Sequence, residues 1–118
     1  MTDKKIYLQP GRMVFDGMLD LMELQKGVDT MNDPLGGKLH FMTNLYGIDW
    51  EIKFSITEID RTRCAVAIEV STQHEDDENG GFAEIMERRE FALLDSMLLI
   101  GTLHEISSSD DDPTAYTL

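Results

Sequence analysis

The sequence predicts an α+β domain: an antiparallel β-meander curved around or packed against a long C-terminal helix, with one or two helices ahead of it. Three observations carry this. Period-two alternation runs through three successive segments between Leu39 and Val70, joined by short turns. An apolar period of three and four residues begins at Arg12. A second helical period, much richer in apolar residues, begins at Phe82 and runs to Ile106.

In chain order, Ile6-Tyr7-Leu8 is a short apolar run halted by Pro10-Gly11, as expected of a brief strand entering a turn. Val14, Phe15, Met18, Leu21, Met22 and Val28 then recur at helical spacing, with Asp16, Asp20 and Glu23 on the opposite face. Gly17 and Gly27 each weaken a helix by about 1 kcal/mol relative to alanine, so a break is expected near Gly27, giving two helical pieces. Asn32-Asp33-Pro34 and Gly36-Gly37 end the helical region.

Leu39, Phe41, Thr43 and Leu45 alternate with His40, Met42, Asn44 and Tyr46, a strand apolar on both sides, and Gly47-Ile48-Asp49 supplies a turn. Trp50, Ile52, Phe54 and Ile56 alternate with Glu51, Lys53, Ser55 and Thr57, a half-buried strand with one wet face. Past the connection Asp60-Arg61-Thr62, Cys64, Val66, Ile68 and Val70 alternate with Arg63, Ala65, Ala67 and Glu69. Residues 73–81 hold nothing able to bury itself and are expected to form an exposed loop. Between Phe91 and Ile106 apolar residues occupy nearly every face of the last helix, so another helix, a curved sheet or a second subunit must cover it. At 118 residues the chain suits one domain, expected over 1–106, followed by an acidic tail over 107–118.

The net charge is −13, and the carboxylates of Glu75–Glu78 and Asp110–Asp112 hold about half of it. A body this negative repels phosphate backbones and anionic membrane surfaces, so neither nucleic acid nor membrane is an expected partner. No window nears the 18 apolar residues of a spanning helix. The single cysteine, Cys64, has no internal partner, which fits a reducing, cytoplasmic setting. A DNA mimic would need a regular array of carboxylates, and clustering in one loop and one tail argues against that reading.

No motif for catalysis is present: no phosphate-binding glycine loop, no G-x-S-x-G and no H-E-x-x-H. His40, His74 and His104 fall on a strand, a loop and a helix end with nothing linking them, and no catalytic residue is assigned. Glu51, Glu58 and Glu69 lie on or beside strands and read as wet-face glutamates. His74 beside Glu75–Glu78 lacks the spacing of a calcium loop, so no metal or other cofactor is expected either. Methionines on predicted elements (Met13, Met18, Met22, Met42, Met86, Met97) suit core filling, and also surfaces that accept varied apolar partners.

The segment Ile6-Tyr7-Leu8-Gln9-Pro10-Gly11-Arg12-Met13-Val14-Phe15-Asp16 resembles the opening strand and first helix of the START/Bet v 1-like (SRPBCC) helix-grip superfamily, and Trp50 to Thr72 resembles successive strands of its curved sheet. The likeness is to a shortened form, since the chain passes from Val70 through one acidic loop directly to the last helix. It implies a sheet gripping that helix with an apolar cavity between them. The resulting expectation is a non-catalytic protein binding an apolar small molecule or lipid, with Phe15, Met18, Met22, Phe41, Trp50, Phe54 and Met97 lining the site. The alternative is a homodimeric, acidic interaction module resembling small secretion chaperones, in which a second copy covers Phe91–Ile106.

Overall fold

The structure, a computed structural model, describes residues 4–72 and 81–108. Its elements are β1 (Lys4–Tyr7), α1 (Gly11–Leu24), β2 (Val28–Asp33), β3 (Lys38–Leu45), β4 (Ile48–Asp60), β5 (Arg63–Thr72) and α2 (Gly81–Ser108). The strands form one antiparallel sheet in the order β1-β5-β4-β3-β2, and both helices lie on the same face of it. The acidic loop with His74 and the tail beyond Ser108 lie outside the described residues.

Alternation decides which side chains meet the helices. Leu39 and Phe41 of β3, Trp50, Ile52 and Phe54 of β4, and Cys64, Val66 and Ile68 of β5 have no exposed surface. Val14, Met18 and Leu21 of α1 and Leu94 of α2 are equally closed, with Met86 nearly so. Each such side chain contributes about 1.5–3 kcal/mol relative to staying in water, so this single layer holds the sheet and helices together. The Phe41 and Phe54 rings meet edge to face across β3 and β4, centroids 5.6 Å apart.

The period-two reading of β4 and β5 matches their burial, whereas β3 buries only one side: Met42 and Asn44 are exposed and His40 is half-buried. The hairpin turn sits at Tyr46-Gly47, not at 47–49, and Ile48 already belongs to β4. Tyr46 and Gly47 have φ of 58° and 77°, the doubly left-handed turn that matches strand twist.

The helical spacing predicts two pieces before the meander, and there is one. Past Leu24 the chain closes a Schellman motif: Lys26 N–H donates to the Glu23 carbonyl (3.0 Å) and Gly27 N–H to that of Met22 (2.9 Å), with Lys26 left-handed at φ 56°. Val28–Asp33 then becomes β2, an edge strand exposed along its whole length. An exposed edge shows no alternation, so its residues carry no strand signal.

Over residues 81–99, where burial is described, the last helix has one closed side and one open side. Met86, Glu90, Leu94 and Leu98 turn inward at four-residue steps onto α1 and β5, whereas Phe82, Ile85 and Leu99 stay 49%, 59% and 62% exposed. Gly17 of α1 faces Leu98 of α2, where a Cβ would stand 2.9 Å from the Leu98 Cδ2.

Candidate functional site

The seven residues expected to line a ligand site are brought into one cluster, and that cluster is the core. Met18, Phe41, Trp50 and Phe54 are fully buried and Phe15 nearly so, with Met22 and Met97 packed against them. Phe82 stacks on Trp50 at 6.0 Å, closing the sheet side of α2 at its start.

Phe15 also faces a cleft. This cleft, about 710 Å³, opens between the first turns of α1, the β2–β3 turn and the end of β4. Phe15, Pro34, Leu35 and Ile56 give it apolar walls, and Arg12, Asp16 and Glu58 ring it with charge. The position of each follows from local structure. Pro10, at φ −60° and ψ 145°, starts α1 so that Arg12, Phe15 and Asp16 fall on the side facing the turn. The turn is fixed by the Gly36 N–H donating to Asp33 Oδ1 (2.9 Å), and the Gly37 carbonyl accepts from the Ile56 N–H at 2.7 Å. Gly37 has φ 67°, and a Cβ there would stand 2.7 Å from the Ile56 carbonyl oxygen, so only glycine lets the turn lie against β4. Leu35, carried at the tip, is fully exposed, an isolated apolar side chain at the mouth of an apolar cleft.

Pattern in the sequence marks Pro34, Gly36 and Gly37 only as terminators and passes over Leu35. A leucine between a proline and two glycines is the signal available there. The same pattern places Ile56 in the core, and Arg12 only where the helical period begins.

At the other end of α1 lies a buried polar knot that pattern reading does not find. Glu90 has no exposed surface, yet its Oε1 accepts from Gln25 Nε2 (2.6 Å) and its Oε2 from an Arg89 guanidinium N–H (2.9 Å). The same Arg89 nitrogen donates to Gln25 Oε1 (2.6 Å), and Thr43 Oγ1 donates to the Gln25 carbonyl (2.7 Å). Burial pushes the Glu90 carboxyl above its ordinary range, and the bonds from Gln25 and Arg89 pull against that. Arg89 reaches outward until its guanidinium lies 6.0 Å over the Tyr46 ring. The knot ties α1, β3 and α2 together, its side chains engaged by one another.

On the open face of the sheet, His40 borders a shallow hollow of about 300 Å³ with Lys38, Lys53, Ser55, Ala67 and Glu69. Glu51 pairs with Lys53 at 3.1 Å and Glu69 lies opposite Lys53 across β4 and β5, whereas Glu58 stands beside the α1 cleft. The three glutamates are therefore not brought together. Among the described residues no group of three His, Cys, Asp or Glu side chains could hold a metal ion. Cys64 is buried, and loss of solvent raises its thiol pKa, as does the nearby Glu58 carboxylate.

No family model matches the chain, and no curated protein matches its sequence. Among solved structures it is similar to the di-domain aromatase/cyclase StfQ from the steffimycin biosynthetic pathway, with a TM-score of 0.55 and 8% identity. That match covers 83% of this chain but 43% of StfQ, so the chain spans less than half the length of its neighbour. A second match, to TTHA0849 from Thermus thermophilus, covers 94% of this chain and 99% of that one, at 10% identity and a TM-score of 0.36. The likeness to StfQ is one of fold, and it places the sheet and C-terminal helix in a helix-grip type of architecture.

Proposed function

We propose that the protein is a non-catalytic binding module that takes an apolar small molecule or lipid chain at the α1 cleft. The observation that carries this is the 710 Å³ cleft with Phe15, Leu35 and Ile56 on its walls. Small-molecule sites are concave and mainly apolar, of roughly 300–1,000 Å³, with a few polar groups that fix orientation. Phe15 links the cleft to the core cluster. Fold likeness to an aromatase/cyclase, a protein named for acting on a small molecule, supports occupancy.

Fluorescence titration with 1-anilinonaphthalene-8-sulfonate tests it. Leu35 is fully exposed, so Leu35→Ser leaves the fold intact while removing an apolar wall. Loss of that contact is worth roughly 1.5–3 kcal/mol, a weakening of tenfold or more in probe affinity. Ile85→Ser removes another exposed apolar residue, this one from α2, and is expected to leave affinity unchanged. Equal affinity in the wild type and Leu35→Ser would remove the cleft as the site.

A further inference from the structure

The two edges of the sheet differ. β1 is four residues long and carries Lys4 and Lys5, side chains that discourage edge pairing. β2 is six residues long, exposed throughout and, among the described residues, bonded on one side only, to β3. It presents Val28 at 68% and Met31 at 43% exposure, next to Met42 of β3, which lies opposite Val28. These three side chains project to the helix-free face and make a continuous apolar strip at the sheet's edge.

We infer that this edge pairs with β2 of a second copy of the chain, antiparallel about a two-fold axis at Met31, to give a continuous ten-stranded sheet. The register follows from the bulge. Asp29 lies opposite Phe41 and Met31 opposite His40, so Thr30 is an extra residue in β2. With Thr30 set aside, Val28, Met31 and Asp33 point to one face and Asp29 and Asn32 to the other. Opposed residues in an antiparallel pair must share a face, and Met31 opposite Met31 of the second copy satisfies this along the whole strand. Asp29 then meets Asn32 of the second copy, and Val28 meets Asp33.

No two carboxylates are opposed in that register, although β2 carries two aspartates and the chain a net charge of −13. An Asn amide facing an Asp carboxylate is a pair the fold already uses. Asn44 and Asp49 lie opposite each other in β3 and β4, and the Asn44 Nδ2 donates to Asp49 Oδ1 at 3.0 Å. The two-fold would repeat that pair on either side of the axis. It would also join the strips of both copies, with the two Met31 side chains in contact at the centre.

Sedimentation equilibrium at about 100 µM suits an interface of this small class. The wild type is expected at twice the 13.4 kDa chain mass. Met31→Lys sets two like charges against each other on the axis and is expected to shift the protein to monomer, with an unchanged circular dichroism spectrum. Met31→Cys supplies a second readout. Directly opposed Cα atoms lie about 4.5–5.5 Å apart, within disulfide range, so mild oxidation is expected to cross-link this variant through its own copy. Val28→Cys, placed opposite Asp33, is expected not to cross-link. A monomeric wild type, a Met31→Lys dimer, or a dimer dissolved instead by Ile85→Lys on α2 would each overturn the β2 interface. None of these results bears on the α1 cleft, whose probe titration stands apart.

Discussion

Gln25 Nε2 donates a 2.6 Å hydrogen bond to Glu90 Oε1, joining the C-cap of α1 to the wholly buried carboxylate of α2. A carboxylate with no access to water persists only where its partners replace that water. Arg89 completes the set from the half-exposed neighbouring position. Glu90→Ala leaves the Gln25 Nε2 without its acceptor, takes from the Arg89 guanidinium its carboxylate partner so that only the Gln25 Oε1 still accepts from it, and opens a void, at an expected cost of about 3 kcal/mol. Urea unfolding at neutral pH measures it.

The same carboxylate sets a pH dependence. Burial raises its pKa in the folded chain above the ordinary glutamate range, while the unfolded chain titrates normally. The folded state therefore binds the proton more tightly. Stability contributed through Glu90 is highest below the ordinary range, falls as pH rises through the window between the two pKa values, and levels off above it. Glu90→Gln cannot titrate and is expected to flatten that part of the profile. Unfolding curves of both proteins from about pH 4 to pH 8 test this, and parallel slopes would show that Glu90 does not cause the dependence.

At the opposite sheet edge, Tyr7 Oη donates to Asp95 Oδ1 at 2.7 Å, and Lys5 Nζ meets Oδ2 of the same carboxylate at 2.5 Å. The ion pair is open to water on both sides and adds little. The tyrosine bond is partly buried and charge-assisted, so Tyr7→Phe is expected to cost about 1.5 kcal/mol. Burial and then Asp95 push the Tyr7 hydroxyl far above its ordinary value. The folded chain thus keeps a proton that the unfolded chain loses near pH 10, and stability falls as pH rises above about 10. Tyr7→Phe is expected to lack that fall, and thermal melts at about pH 8 and pH 11 compare the two.

Much of the sheet was legible because burial on one face stamps period two on β4 and β5, from Trp50 to Ile56 and from Cys64 to Val70. The long apolar stretch of α2 was legible for the same reason, although its degree of cover was not. Phe82, Ile85 and Leu99 show that apolar residues on many faces need not mean cover on many faces. Edge strand β2 left no mark, since none of its residues is buried. The cleft depends on where a turn lands against β4, a relationship between Leu35 and Ile56 that no local spacing encodes. Likewise the Gln25–Glu90 bond joins residues 65 positions apart, and nothing in either neighbourhood marks them as partners.

Cys64 illustrates a residue whose role was readable from its place on an alternating strand. It is buried and its thiol is held above the ordinary pKa, both of which suppress the thiolate. Modification by a disulfide reagent is expected to need opening of the sheet, and so to run at least about a hundredfold slower in the native protein than in urea. A native rate within a few-fold of the unfolded one would mean that β5 opens readily.

Two glycines that look alike in the sequence are expected to respond differently to alanine. At Gly17 the added Cβ would sit 2.9 Å from Leu98 Cδ2, the far end of a flexible side chain, with the next neighbours at 3.5 Å. Gly17→Ala gains about 1 kcal/mol of helix propensity, which offsets a small shift of Leu98, so the net change is expected near zero. At Gly27 the Cβ would stand 2.5 Å from the Phe41 ring and 2.9 Å from Met22 Cγ, and no helical gain is available beyond the α1 cap. That ring is fully buried against Phe54 and has nowhere to move, so Gly27→Ala is expected to cost about 2–3 kcal/mol. Urea midpoints of the two variants decide the matter: a larger loss at Gly17 than at Gly27 would mean that the α1–α2 contact, rather than the Phe41 ring, is the stiffer part of this core.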